Sequence, residues 1–591
     1  MQALLVPFLL ALSLVAALFG CGRTEDLNNP YADDRSYASD IRFATESEIA
    51  DGDVAEHSYI IGFREQPVAE AATAKLQFST IQQGLAHILQ STQKVDFSRT
   101  LARLNITYPG RSFAAQTSLN ATPFFQSELE IPEEYTHVTE VTFADEASAR
   151  AQINQWHEQK KINYAEPNFK RSTSGEVEDR IVSSFKGNNN TPWLDQVSFV
   201  DAIQKIGTTG AKAEPLIAVM DSGVDVLHPN LKDAIFTNEA GQNKQCRDDI
   251  YGCNTTVEDK EILGDGAVYP SGTSNFGEVC LNEGQCDHGT HVAGIIGARN
   301  SASFTGMCPY CKILVVKVVE IEEKNGRETF PIKDSSILAG LSYVSGFKTG
   351  GQPLVRVINA SFGKFESSRS VELFIKALKK FGRGTLMVAA AGNEDTMKRQ
   401  YPAGFDEVLA VSNIKSAVSA PNKSASSNFG MWVDIAAPGD GDCGPTSGIL
   451  STIPGGGSAC RVGTSMASPI VAGIAGLVLA NDPSLSAEAL ESRLMETANP
   501  TKLYEDGVNN SYRPKVKGAG LVPLLGGGVV NALVAIDPSL DTIPAVVAQR
   551  PDAVRPGCGV IGGQGQSSSL AFLMILLVPL FGLIRKFRKS I

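Results

Sequence analysis

Five runs in this 591-residue chain decide what it can fold into: PLIAVMD, KILVVKVVE, LVRVINASFG, GTLMVAAAGN and EVLAVSNI, which lie between residues 215 and 414. Each is close to uninterrupted in Val, Ile, Leu, Met and Ala, and helical patterns separate one from the next. A strand that is apolar on both faces must be covered on both faces, and a parallel sheet between two helical layers does this. The expected fold class is therefore α/β, a parallel sheet with helices on both faces, over residues 192–537. In such sheets, sites assemble where the carboxyl ends of strands give way to loops and helix starts.

Three such places carry chemistry. IAVMDSGVDVLHPNL puts Asp221 at a strand end, QCDHGTHVAGIIGA puts His288 at a helix start with Asp287 as its cap, and GTSMASP puts Ser465 at another helix start. A serine hydroxyl is a weak nucleophile until a base takes its proton, and an imidazole is the side chain suited to that near neutral pH. A buried carboxylate can hold the imidazole in the required tautomer and stabilise the imidazolium. The oxyanion formed on attack needs donors. The backbone N–H of Ser465 at a helix N-terminus is one, and the side-chain amide of Asn393 in VAAAGNED is the natural second. Helix capping is the plain alternative for Ser465, and the other three residues outweigh it.

Asp221, His288, Asn393 and Ser465, in that order, resemble the subtilisin-like serine proteases, the subtilases. The likeness runs from about Pro192 to Ala532 and takes in KILVVKV, NASFG, VDIAAPG and GGGVVNA. It implies an endopeptidase that hydrolyses peptide bonds through an acyl-enzyme on Ser465, with protein or peptide substrates and no cofactor for the chemistry. It also implies a specificity pocket and substrate-pairing strand at Ser361, Phe362 and Gly363, facing Ala390, Ala391 and Gly392. For the two alanines, strand-end core residues is the competing reading. His228 and His291 receive no catalytic role. Some subtilases bind structural calcium, but the acids over residues 248–265 match no EF-hand spacing, so no metal site is assigned. The rival from another class is a non-catalytic peptide-binding surface scaffold of the same fold, against which the complete Asp–His–Asn–Ser set argues.

Ahead of the body, residues 56–170 read as strand, helix, strand, helix, strand, with the first helix in 67–92 and the second carrying Ala149, Ile153 and Trp156 on one face. This α+β module resembles the ferredoxin-like propeptide that subtilases use as folding template and inhibitor, its last strand lying in the substrate cleft. Residues 22–55 read as an acidic tether, and 171–191 as a polar link holding the self-processing bond.

Both ends address a membrane. Residues 1–21 form an apolar export signal whose LFGC resembles a lipobox with Cys21 as the lipidated residue; an ordinary cleaved signal or an uncleaved anchor are the alternatives. Residues 538–569 are a Pro/Gly-rich spacer, and 570–591 hold an apolar run closed by Arg585, Lys586, Arg588 and Lys589. Such a tail is either a sorting signal that is removed or a plain transmembrane anchor with its basic end in the cytoplasm. The body is then expected outside the cytoplasm, in a bacterial cell envelope. The net charge of −12 argues against nucleic acid as a partner. Eight cysteines fall into local pairs, Cys246 with Cys253, Cys280 with Cys286, Cys308 with Cys311 and Cys443 with Cys460. Disulfides suit an exported chain, and a zinc site on the Cys-Pro-Tyr-Cys stretch is the rival.

Overall fold

In chain order, an N-terminal module contributes β1 (Val54–Phe63), β2 (Lys75–Gln77), β3 (His137–Thr142), α1 (Glu146–Glu158) and β4 (Ile162–Thr173). The body contributes α2 (Phe199–Thr209), β5 (Leu216–Asp221), β6 (Gly252–Asn254), α3 (His288–Gly297), β7 (Lys312–Lys317), β8 (Ile332–Lys333), α4 (Asp334–Ser345), β9 (Val355–Ala360) and β10 (Phe362–Gly363). It continues with α5 (Arg369–Lys380), β11 (Leu386–Ala390), β12 (Val408–Lys415), β13 (Ile435–Asp440), β14 (Ile449–Ile453), β15 (Gly457–Arg461) and α6 (Thr464–Asn481). This computed structural model describes residues 41–64, 75–77, 137–173, 192–238, 246, 249–256, 268, 287–299, 304–320, 322–324, 327–416, 421–443, 446–504, 509–516 and 520–540.

The body's main sheet has the order β13-β12-β11-β9-β5-β7-β6, and every pairing in it is parallel. Successive side chains of its strands point to opposite faces. Ile217 and Val219 of β5 therefore enter a core built on α2, α3 and α6, while Ala218 and Met220 enter one built on α4 and α5. This two-sided burial is what the uninterrupted apolar runs require. Helix α6 has the length and hydropathy of a membrane span, yet all its residues but the last are buried in the body. A helix apolar all round suits that central place. Gly476 lets it pack closely: a Cβ there would come within 2.5 Å of Cys311 Sγ.

Three disulfides are present among the described residues, Cys246–Cys253, Cys308–Cys311 and Cys443–Cys460. The Cys-Pro-Tyr-Cys stretch is thus a disulfide, not a zinc site. Cys280 and Cys286 lie outside the described residues, as do Cys21, Cys558, both chain ends and most of residues 248–265.

The module's antiparallel sheet runs β8-β4-β1-β3-β2, so that a strand of the body extends it. One face packs Tyr59, Ile61, Phe63 and Val141 against Ala149, Ile153 and Trp156 of α1. The other face gives Ile60, Val138 and Tyr164 to the α4–α5 core of the body.

Three boundaries differ from the sequence reading. Residues 41–55 of the stretch read as a tether are structured: Thr45 and Glu48 form a capping box on a short helix, Glu46–Asp51, and Ala44 and Val54 bury against Phe169. Within 67–92, read as helical, Lys75–Gln77 is a strand, using the edge that β3 otherwise leaves open. β4 runs three residues into the stretch read as a link, because β10 pairs with Ser172 and Thr173.

Candidate active site

Asp221 is the last residue of β5 and is fully buried. Its Oδ1 accepts from the backbone N–H of Ser222 at 2.7 Å and lies 2.8 Å from His288 Nδ1. With Nδ1 tied to the carboxylate, Nε2 is the atom left to take a proton, and it is buried without a hydrogen-bond partner. His288 opens α3, and the turn after Asp221 fits beneath that helix start only because residue 289 is glycine. A Cβ on Gly289 would lie 2.3 Å from the Gly223 carbonyl oxygen. The Gly289 N–H donates to Ser222 Oγ at 2.9 Å, closing the contact. Asp287 stands at the N-cap of α3 but does not cap it. Its Oδ2 instead accepts from Arg461 Nη2 at 2.5 Å, which ties the histidine helix to the strand leading to Ser465.

Ser465 is the second residue of α6. Pro469, one turn on, has no N–H to give the Ser465 carbonyl. The Ser361 hydroxyl supplies that bond at 3.0 Å, and the Ser465 hydroxyl donates in return to the Ser361 carbonyl at 3.1 Å. Asn359 orders the pair, donating from Nδ2 to Ser361 Oγ at 3.0 Å and accepting from Ser468 Oγ at 2.8 Å. Proton transfer to His288 requires the Ser465 hydroxyl to turn from Ser361 to Nε2, a rearrangement common in resting active sites.

Asn393 lies three residues past β11. Its Oδ1 accepts from both the N–H and the hydroxyl of Thr464, each at 3.0 Å. A backbone N–H can only donate, so this contact fixes which end of the amide is oxygen. Nδ2 is left buried without a partner, beside the start of α6 that carries Ser465. Gly392 holds φ at +102°, and a Cβ on it would meet Gln400 Oε1 at 2.0 Å and Asn428 Nδ2 at 2.4 Å. Asn428 clamps this loop, accepting from the N–H groups of Glu394 and Thr396 and donating to the Ala391 carbonyl at 3.0 Å. Its own N–H donates to the Gly392 carbonyl.

Ala390 and Ala391 are fully buried, and the Ala391 N–H extends the β11–β12 pairing by donating to Val411. Phe362 and Gly363 form β10, which pairs antiparallel with Thr173 and Ser172 of β4, while β8 pairs with β4 as well, at Arg171 and Lys170. His228 and His291 have structural positions. The Asn230 N–H donates to His228 Nδ1, so Nε2 carries the proton given to the Gly457 carbonyl; burial holds its pKa down. His291 bonds the Ala459 carbonyl through Nε2, and complete burial keeps its pKa well below the usual value.

The family model described as "Subtilase family" matches residues 212–514, just over half of the 591-residue chain. This chain is a subtilase. Its relatives include a thermophilic serine proteinase of Bacillus sp. (strain AK1), 29% identical over 357 residues that cover 59% of this chain and 72% of that protein. Subtilisin BL of Lederbergia lenta is 34% identical over 262 residues, 44% of this chain and 85% of that protein. Fervidolysin from Fervidobacterium pennivorans, described as a keratinolytic enzyme related to subtilisin, shares the fold. Its TM-score is 0.51 at 18% identity, over 85% of this chain and 63% of that one. The subtilase is accordingly a serine endopeptidase, and protein or peptide substrates follow from that.

Sequence reasoning missed the supports of the site. The Asp287–Arg461 pair, the Asn428 clamp and the Asn359–Ser468 pair join residues 174, 32 to 37 and 109 positions apart. No local pattern signals them.

Proposed function

We propose that this subtilase is an exported, envelope-anchored endopeptidase made as a self-processing zymogen. Ser465 attacks the scissile carbonyl, His288 takes its proton and returns it to the leaving amine, and Asp221 orients the imidazole. Asn393 Nδ2 and the Ser465 N–H receive the oxyanion. The observation that carries the zymogen reading is the place of β4, an extended strand of the N-terminal module that pairs with β8 and β10 of the body, as a peptide substrate adds to a cleft. The test is N-terminal sequencing of the full chain and its Ser465→Ala variant after expression with export. Wild type should yield a species beginning between residues 174 and 191, and Ser465→Ala should keep its module. Radiolabelled fatty acid on Cys21, lost in Cys21→Ser, tests the lipid anchor.

The module is held by more than strand pairing. Glu166 of β4 accepts from Ser368 Oγ at 3.0 Å and from the N–H groups of Arg369 and Ser370 at 3.0 and 3.2 Å, so it caps α5 of the body. Asn168 accepts from the Ser335 N–H at 3.1 Å at the start of α4. Burial pushes the Glu166 carboxyl above its ordinary pKa, the Arg369 N–H opposes this and the charge of Asp334 adds to it. Glu166 thus binds its proton more tightly in the docked state than in a free, solvated module. By linkage, docking strengthens as pH falls through the raised pKa toward the usual carboxylate range and weakens as pH rises. After cleavage, activity should appear faster at pH 7 than at pH 5. Glu166→Gln, which cannot ionise, should flatten that dependence; an unchanged slope would sink the assignment.

A further inference from the structure

Arg171 of β4 is only 2% exposed, and its guanidinium is buried in the body. Nε donates to Asp334 Oδ1 at 2.6 Å, and Nη1 donates to the backbone carbonyls of Tyr401 at 2.9 Å and Glu366 at 3.2 Å. The Asp334 side chain is fully buried, at the first position of α4. Neither the sheet nor the proposed catalytic residues need this pair, since the pairing of β4 with β8 and β10 is made by backbone.

We propose that Asp334, with the carbonyls of Glu366 and Tyr401, is a substrate subsite that selects arginine at the fourth residue before the scissile bond. The proposal rests on reading β4 as a stand-in for substrate, and it adds a substrate class: chains with arginine at that place. The position follows from register. Ser172 pairs with Gly363 and Thr173 with Phe362, and antiparallel pairing advances one residue for one. A substrate residue facing Ser361, whose carbonyl receives the Ser465 hydroxyl, therefore comes three places after the one in the Arg171 position.

The chemistry discriminates sharply. Leucine there would leave the buried Asp334 carboxylate and the Glu366 carbonyl without the donors that Arg171 supplies, while the Tyr401 carbonyl would keep only the Lys364 N–H; glutamate would set a like charge against Asp334. Lysine carries its charge on one nitrogen and cannot reproduce the planar fork that bridges a carboxylate and two carbonyls pointing from different segments. Orphaning a buried, hydrogen-bonded charge typically lowers affinity by about 30-fold or more.

The test uses the full chain, allowed to process itself, against a positional-scanning library of tetrapeptides with a fluorogenic amide leaving group. Arginine should exceed leucine by about 30-fold or more in kcat/KM at the first of the four positions, with lysine between them. Asp334→Asn should collapse the arginine-to-leucine ratio toward one; should that variant not fold, the wild-type profile decides alone. A processed enzyme that cleaves the library without favouring arginine there overturns the subsite and leaves the zymogen reading standing. A Ser465→Ala chain that still loses its module overturns the zymogen reading, and the subsite with it.

Discussion

Ser465→Ala or His288→Ala, each alone, should lower kcat by about 10⁶-fold, and the double variant should be no worse than either. That size is the one measured for subtilisin's own serine and histidine, and it comes to this chain by analogy with that enzyme. What the geometry adds is the reason for non-additivity. Only Nε2 of His288 is left to act as base, and it has no function once the Ser465 hydroxyl is gone. Asp221→Asn should cost about 10⁴-fold, again by analogy with a known triad, because its amide can donate to Nδ1 and would hold the proton on Nε2. A fluorophosphonate probe followed by peptide mass spectrometry reads all of this directly. Wild type should carry the label on Ser465, His288→Ala none, and Asp221→Asn should label slowly. A Ser465→Ala chain with more than about one part in 10³ of wild-type hydrolysis would mean that another nucleophile does the work.

How much of this was legible depends on how local the cause is. The uninterrupted strands, and the motifs that place Asp221 at a strand end and Asn393 just past one, are short-range patterns, so the sheet and the positions of these residues at strand ends could be read directly. The same holds for α1, where Ala149, Ile153 and Trp156 repeat at helical spacing and are the buried residues. Asp287 shows the limit. Its position before a helix suggests a cap, but Arg461, 174 residues away, offers a full charge for its carboxylate. An ion pair shielded from water outweighs one hydrogen bond to a helix N–H. Thr45 and Glu48 are readable as a capping box, and the acidic composition around them hides it. Arg171 could not be read at all: in sequence it is one basic residue in a polar stretch, and only the fold brings Asp334 to it.

Replacing Asn393 separates the two functions of its amide. Oδ1 is structural, holding the Thr464 N–H and hydroxyl at the start of α6, whereas Nδ2 is buried and unpartnered in the resting site. A donor with no resting partner contributes only when charge develops on the substrate oxygen, so its loss should appear in kcat with little change in KM. Asn393→Ala removes both functions. It should cost about 10²–10³ in kcat, by analogy with the oxyanion-hole asparagine of subtilisin, and it should also lower Tm because Thr464 loses its acceptor. Asn393→Asp keeps an acceptor for Thr464 and replaces the donor with an oxygen that repels the oxyanion. Its Tm should stay nearer to wild type while its kcat falls at least as far as that of the alanine variant. Parallel measurement of kcat, KM and Tm on the three proteins distinguishes the cases. An aspartate variant that keeps wild-type kcat would show that Nδ2 never meets the reacting oxygen, and that Asn393 serves only to anchor the helix carrying Ser465.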